Sequence, residues 1–291
     1  MLKIVLPKGS LEKSTLELFA AADLVVERTS DVDYRAKIDD PRVEEVRILR
    51  PQEIPTYLER GLFDLGIAGR DWVEETGADL VSIGKLEYSK ATSNPIKVVV
   101  AVSASSGITS ISQLGDGVRV STEYPNLTRR FFERHNIKAE VSLSYGATEA
   151  KIPEIADAVV EITETGRAIR AAGLRIIDTI LVSHTELLAN SLAAQDPAKR
   201  HAMDQLYTLL SGTLAARKQV LVKLNVSRDD LAGVIEVLPS MKAPTVSALF
   251  GDAGYAVEAV VPRLGINTLI PALSDAGATG ILEIPLSKIV P

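Results

Sequence analysis

Short apolar runs alternate along the chain with stretches whose apolar residues recur at helical spacing, which predicts α/β layers with mainly parallel sheet. Lys3–Leu6 reads as a first strand. A helix over Leu11–Ala22 follows, with Leu11, Leu18 and Phe19 on one face and Ser10 as its N-cap. A helix around Pro51–Glu59, with proline near its first turn, leads into a buried strand at Phe63–Ala68. A second α/β stretch opens at Ile96–Val102. It continues through a short helix near Ser110–Leu114, a strand Val118–Ser121 and a helix Leu127–His135. Strands Glu140–Ser144 and Ala158–Ile162 and a helix beginning near Gly166 complete it. The break between the two stretches falls near Ser93–Pro95. Ile176–Ser183 reads as a strand leading back to the first lobe, and Pro197–Arg217 as a long connecting helix.

The last part of the chain has a different rhythm. Strand Val220–Val226, helix Arg228–Val237, strands Thr245–Leu249 and Ala256–Val261 about the turn Gly251–Gly254, helix Ile266–Ala276 and strand Gly280–Pro285 give the order βαββαβ, a ferredoxin-like unit. The expected organisation is therefore a first lobe from residues 1–93 and 182–212, a second from 94–181, and a separate domain over 213–291.

Composition narrows the chemistry. The 291 residues include no Cys, which removes disulfides, thiolate metal sites and a Cys nucleophile, and only three His (His135, His184, His201), far apart in the sequence. A net charge of −6 argues against a broad nucleic-acid surface. No run approaches the ~18 apolar residues of a membrane span, and the N-terminal apolar run is shorter than a secretory segment needs, so a cytoplasmic protein is expected.

The most informative stretch is Ala156–Gly173, ADAVVEITETGRAIRAAG. An apolar strand ends in Glu161, and the small polar loop Thr163-Glu164-Thr165-Gly166 opens a helix. Loop N–H groups and the helix start favour a phosphate. Thr163 and Thr165 add hydroxyls, and Glu161 is placed to accept from ribose hydroxyls. An ordinary threonine-capped turn has the same local sequence. Neither a Walker A pattern nor G-x-G-x-x-G occurs.

The run from Glu161 through Thr163 and Thr165 to Gly166, after an apolar strand, resembles the phosphoribosyl-diphosphate loop of phosphoribosyltransferases. PKGSL at Pro7–Leu11, GIAGRDWVEE at Gly66–Glu75, STEYPNLTRRFF at Ser121–Phe132 and YGATEAKIPEIADAVVEITETGRAIRAAGL at Tyr145–Leu174 narrow this resemblance to the long-form ATP phosphoribosyltransferases, over essentially the whole chain. The resemblance implies a two-lobe core like type II periplasmic binding proteins plus a C-terminal ferredoxin-like regulatory domain. It further implies joining of the phosphoribosyl group of phosphoribosyl diphosphate to N1 of ATP with release of diphosphate, the first step of histidine biosynthesis. Mg²⁺ would be held mainly through substrate oxygens, histidine would inhibit at the third domain, and the chain would assemble as dimers and hexamers.

Carried over residue by residue, the resemblance gives the following expectations. Thr163, Glu164, Thr165, Gly166, Arg167 and Ala168 hold the 5′-phosphate, Glu161 the ribose hydroxyls, and Asp157 is a second acid there or a polar residue starting the strand. Glu149 faces the substrates or is a surface glutamate beside Lys151. Lys8, a catalytic candidate, meets ATP or diphosphate oxygens with Gly9, or is solvated. Asp71 meets ATP or caps a helix. Tyr124, Asn126 and Arg129 complete the ATP set, while Trp72, Phe131 and Phe132 read as core. The histidine effector is expected between two copies of the ferredoxin-like unit near Asn225, Met241, Thr245, Val260 and Gly280, with core packing as the alternative for Met241 and Val260. Two positions depart from the family pattern: Ser10 stands where arginine is frequent, and Ala168 where a hydroxyl residue is frequent. The rival readings are a non-catalytic two-lobe ligand-binding or sensor protein and a phosphoribosyltransferase for another base. The single acid in Val160-Glu161-Ile162, where the usual loop has two adjacent acids, favours the named family over the second.

Overall fold

Strand β1, Leu2–Pro7, is buried at every position except Lys3, because it runs between two parallel neighbours at the middle of a sheet. The computed structural model describes residues 1–30, 33–89, 94–239 and 243–290. After β1 come α1 (Glu12–Ala21), β2 (Val26–Glu27), β3 (Arg35–Ile38), β4 (Val43–Leu49), α2 (Ile54–Glu59), β5 (Leu65–Gly69), α3 (Arg70–Thr76) and β6 (Leu80–Leu86). The second lobe holds β7 (Ile96–Ser103), β8 (Arg119–Thr122), α4 (Pro125–Arg134), β9 (Glu140–Leu143), β10 (Ala158–Thr163), α5 (Arg167–Ala171) and β11 (Leu174–Ser183). The chain then returns through β12 (Thr185–Asn190), α6 (Ser191–Gln195) and α7 (Pro197–Ala216).

The first lobe is built on a seven-stranded sheet of order β2-β3-β4-β1-β5-β12-β6, the second on a five-stranded sheet of order β11-β7-β10-β8-β9. Both sheets are mixed, which corrects the expectation of mainly parallel pairing. β1 pairs parallel with β4 and β5, and β8 with β9 and β10, but β12 runs antiparallel to β5 and β6, and β7 antiparallel to β10 and β11. β11 and β12, joined through His184, belong to different sheets, so this is where the chain passes from the second lobe back into the first. A second difference concerns α1, which begins at Glu12: its carboxylate reaches back to accept from the Gly9 N–H (3.2 Å), tying the helix to the turn that follows β1.

Each lobe has its own core. Val5, Ile54, Leu58, Ala68, Val73 and Leu188 pack in the first. In the second, Val98, Val100 and Val160 meet Leu127, Phe131 and Phe132 of α4, so the two phenylalanines are core as their sequence context suggests. Burying such a set removes enough apolar surface, at roughly 25 cal/mol per Å², to hold an otherwise marginal ten-residue helix in place.

The chain divides into two compact units, Met1–Ala20 with Leu24–Tyr207, and Ala21–Asp23 with Thr208–Pro291. The second contains β13 (Gln219–Val226), α8 (Leu231–Val237), β14 (Thr245–Ala248), β15 (Tyr255–Pro262), α9 (Ile266–Asp275) and β16 (Thr279–Pro285). The antiparallel sheet order β14-β15-β13-β16 is that of a ferredoxin-like unit. Strict alternation on β13 buries Val220, Val222, Leu224 and Val226 against Val234 of α8 and Leu273 of α9. Among the described residues, no helix is long and apolar enough to cross a membrane.

Candidate active site between the lobes

A cavity of about 310 Å³ lies between the two lobes, bordered by Ser10, Asp71 and Trp72 on one side and Tyr124, Thr163 and Glu164 on the other. Asp71 is brought there by the tight passage from β5 into α3. A Cβ on Gly69 would stand 2.1 Å from the Asp71 Oδ1, so only glycine lets the strand end pass this carboxylate. Asp71 is 2% exposed. Its carboxylate accepts from the Ser183 hydroxyl (2.6 Å) and the Tyr124 hydroxyl (2.8 Å), and its own N–H donates to Ser183 Oγ (3.0 Å).

Burial pushes the Asp71 carboxyl above its ordinary value, while the Ser183 and Tyr124 donors pull it down. Burial, then the neighbouring Asp71 charge, pushes the Tyr124 phenol well above 10, so it stays a donor. Trp72 lies against Tyr124 with ring centroids 4.5 Å apart. Asp71 thus borders the cavity without acting as a helix cap, and Trp72 both packs on the second core and lines the cavity.

The loop after β10 closes on itself. Thr163 Oγ1 accepts from the Gly166 N–H (2.7 Å), Thr165 Oγ1 from the Arg167 N–H (3.4 Å), and Arg170 donates to the Thr165 carbonyl (3.0 Å). Gly166 adopts φ 72°, and a Cβ there would lie 2.7 Å from an Arg170 nitrogen. The expected convergence of free loop N–H groups is therefore corrected: the threonine oxygens take two of them. The helix that follows, with Ala168 in it, spans only five residues, so its dipole adds little. Ser89 ties the loop to the first lobe by donating to Glu164 Oε1 (2.7 Å).

Glu161 is half-buried just before the loop. Burial raises its carboxyl; the Ile162 N–H and the Thr148 hydroxyl oppose that, and Glu123 and Glu149 raise it further. Glu123, Glu149 and Glu161 thus form an acidic group beside the loop.

Other candidates lie elsewhere. Asp157 sits at the opposite end of β10 from the loop, ion-paired to Arg119 (2.7 Å), and that guanidinium holds its carboxyl below the usual range. It is the polar residue that starts the strand, not a second acid at the loop. Lys8 lies 4.0 Å from the centroid of the Tyr34 ring, and the Gly9 N–H is taken by Glu12; neither lines the cavity. Asn126 and Arg129 do not line it either. The Asn126 side-chain amide donates to the Glu75 carbonyl (3.3 Å), and Arg129 donates to Asn126 Oδ1 (3.2 Å). The reason is Glu75, whose carboxylate reaches from α3 to the start of α4 and accepts the N–H groups of Asn126 (3.0 Å) and Leu127 (2.8 Å). Sequence reading did not single out Glu75, Ser89 or Ser183.

In the second unit, Asn225 and Val260 lie on the sheet face away from α8 and α9, at opposite ends of the β13–β15 pairing. Thr245 pairs with Glu258, and Gly280 lies beside Asn225. Val260 is thus outside that unit's core. Met241 lies outside the described residues.

A family model described as ATP phosphoribosyltransferase matches residues 50–212, and one described as HisG, C-terminal domain, matches 216–288. An ATP phosphoribosyltransferase of Pelotomaculum thermopropionicum is 44% identical, covering 100% of this chain and 99% of the relative. One from Solibacter usitatus is 42% identical, covering 100% and 99%. The chain belongs to the ATP phosphoribosyltransferase family. It is a glycosyltransferase of histidine biosynthesis. Among solved structures, the ATP phosphoribosyl transferase (HisG:HisZ) complex from Thermotoga maritima aligns over 74% of this chain and 99% of that one, with 26% identity and a TM-score of 0.63. XAC2383 from Xanthomonas citri, at 12% identity and a TM-score of 0.50, covers 94% of this chain and 96% of its own, and shares the fold alone. ATP phosphoribosyltransferase membership gives the two-lobe α/β core with a C-terminal ferredoxin-like domain its family setting.

Proposed function

We propose that this ATP phosphoribosyltransferase joins C1 of phosphoribosyl diphosphate to N1 of ATP in the cavity between the lobes and releases diphosphate. The observation that carries the reading is the position of Thr163 and Glu164, at the end of an acid-tipped strand, on the border of a cavity whose other wall is Asp71 and Trp72. Adenine N1 carries an unprotonated lone pair near neutral pH, so attack needs no strong base. The demanding event is departure of diphosphate from C1, which leaves positive charge on the ribose. Positioning and electrostatics are what the protein contributes.

In this reading Thr163 to Ala168 bind the 5′-phosphate, which takes over the Gly166 and Arg167 N–H groups from the threonine oxygens that hold them. Glu161 accepts from the ribose hydroxyls, and Glu149 with Glu123 supplies negative potential near the developing cation. Tyr124 and Trp72 border the adenine side. Lys8 and Gly9, at the end of β1, enter as contacts only if Lys8 leaves the Tyr34 ring. Mg²⁺, when bound, neutralises charge on the diphosphate. Among the described residues no group of three or more His, Asp or Glu is arranged to hold a metal. The ion would be held mainly through substrate oxygens, with Glu161 and Glu149 as carboxylates that could add to them, a donor set that suits a hard, partly hydrated cation. Histidine inhibition through the C-terminal unit and assembly into dimers and hexamers belong to the same proposal.

The test is the Glu161→Ala, Thr165→Ala double variant. It is expected to weaken phosphoribosyl-diphosphate binding at least about tenfold while ATP binding changes less than about twofold. Equal losses for both ligands would refute the loop assignment. Binding of both ligands by the unaltered protein without diphosphate release would favour a non-catalytic two-lobe binder.

A further inference from the structure

Glu164 stands in the middle of the loop assigned to the 5′-phosphate, yet its side chain cannot serve there. A carboxylate only accepts hydrogen bonds, and so do the oxygens of a phosphate dianion. The bonds that shape the loop, from the Gly166 N–H to Thr163 Oγ1 and from the Arg167 N–H to Thr165 Oγ1, do not involve that side chain either. What the carboxylate does is accept from the Ser89 hydroxyl at 2.7 Å, on the border of the cavity that both residues line.

The place of Ser89 is set by the residue before it. Tyr88 is pinned to the first lobe through its side chain and its main chain. Its phenol lies 2.7 Å from Thr15 Oγ1 of α1, its carbonyl accepts from the Thr185 hydroxyl at the start of β12 (2.9 Å), and its N–H donates to the Leu86 carbonyl at the end of β6 (2.8 Å). Thr15, Tyr88, Ser89 and Thr185 are all buried, where water does not compete for these bonds. Ser89 is therefore fixed by α1, β6 and β12 of the first lobe, whereas Glu164 follows β10 of the second. We propose that Ser89 and Glu164 are positioning residues for the transfer reaction: their bond fixes the distance of the loop from the first-lobe wall of Asp71 and Trp72, so that C1 of the ribose and N1 of the adenine meet at reacting distance. The inference rests on the assignment of the loop to phosphoribosyl diphosphate and of that wall to ATP. Grip and alignment are then separable. The loop keeps its threonines and its main-chain groups when Glu164 is altered, so affinity survives. What is lost is the approach of two bound substrates, and a misplacement of about 1 Å can slow a reaction about a hundredfold.

Two measurements on the full chain with Mg²⁺ test it. Single-turnover diphosphate release, with enzyme in excess over phosphoribosyl diphosphate and ATP saturating, reads the transfer step; calorimetry reads the affinity for phosphoribosyl diphosphate. Ser89→Ala and Glu164→Ala are each expected to slow the single turnover at least about tenfold, with the dissociation constant within about threefold of wild type. The Ser89→Ala, Glu164→Ala double variant should be no more than about twofold slower than the slower single variant, because one bond is lost in all three. Glu164→Gln keeps an acceptor at the same reach and should recover most of the rate. Effects that multiply in the double variant, an unchanged rate in either alanine variant, or a loss of affinity as large as the loss of rate would overturn the proposal. So would a Glu164→Gln variant as slow as Glu164→Ala, since the charge and not the bond would then be at work. The Glu161→Ala, Thr165→Ala variant separates the two levels. If it weakens both ligands equally, the loop assignment falls and the proposal with it; if its loss is confined to phosphoribosyl diphosphate while the Ser89 and Glu164 effects multiply, the positioning role alone falls.

Discussion

Replacing Tyr124 with phenylalanine isolates the most buried charge in the site. The ring against Trp72 is kept, and only the donor 2.8 Å from Asp71 is lost. A hydrogen bond to a charged group contributes about 1.5–3 kcal/mol, and here the acceptor has no solvent to fall back on, so a loss of about 2 kcal/mol is expected near neutral pH. For a unit of this size that is roughly 4–8 °C in thermal midpoint. The sign of the pH dependence follows from burial, which raises the folded Asp71 carboxyl above its ordinary 3.8. The folded chain then holds a proton that the unfolded chain releases, and stability falls as pH climbs above that value. Losing the Tyr124 donor raises the folded carboxyl further, so the penalty is full where the carboxyl is ionised in both folded proteins and shrinks as pH falls and the carboxyl takes up its proton. Thermal unfolding of wild type and Tyr124→Phe, followed by fluorescence of Trp72 across that range, reads it directly. A penalty that is absent, or that does not vary with pH, would refute the account of Asp71 as a buried carboxylate kept ionised by two hydroxyls.

Three further outcomes are expected. Gly69→Ala should destabilise the two-lobe unit by about 3 kcal/mol in denaturant titration, since the new Cβ meets Asp71 at 2.1 Å. Asp157→Asn should leave phosphoribosyl-diphosphate affinity, measured by calorimetry, unchanged within about twofold, because its partner is Arg119 at the far end of β10. Removing the residues after Gly212 should abolish inhibition by histidine in any truncated enzyme that retains activity.

What the sequence made legible was whatever is local. β1, β5, β7 and β10 are dominated by buried apolar residues, with Lys3, Lys97 and Glu161 the charged residues among them, and so stand out in the sequence. β3 (RAKI) and β4 (VEEVRIL) escaped notice because charges interrupt them, and β12 (TELLAN) because its polar residues, Glu186 and Asn190 among them, are buried. The same division runs through the site. The Thr163–Gly166 loop is contiguous and could be read from its own residues. Asp71 meets Tyr124 and Ser183 across 53 and 112 positions, and Glu75 meets Leu127 across 52, so no local pattern announces them.

The Glu75 contact has a consequence for anyone exchanging parts between relatives. The first turn of α4 belongs to one lobe by chain and to the other by chemistry. A transplanted second lobe would arrive with two amide N–H groups stripped of their acceptor unless the recipient offers a carboxylate at the end of α3. The natural unit of exchange therefore runs from Gly69 through Ser183 and carries both acids along with the tyrosine and serine that answer them.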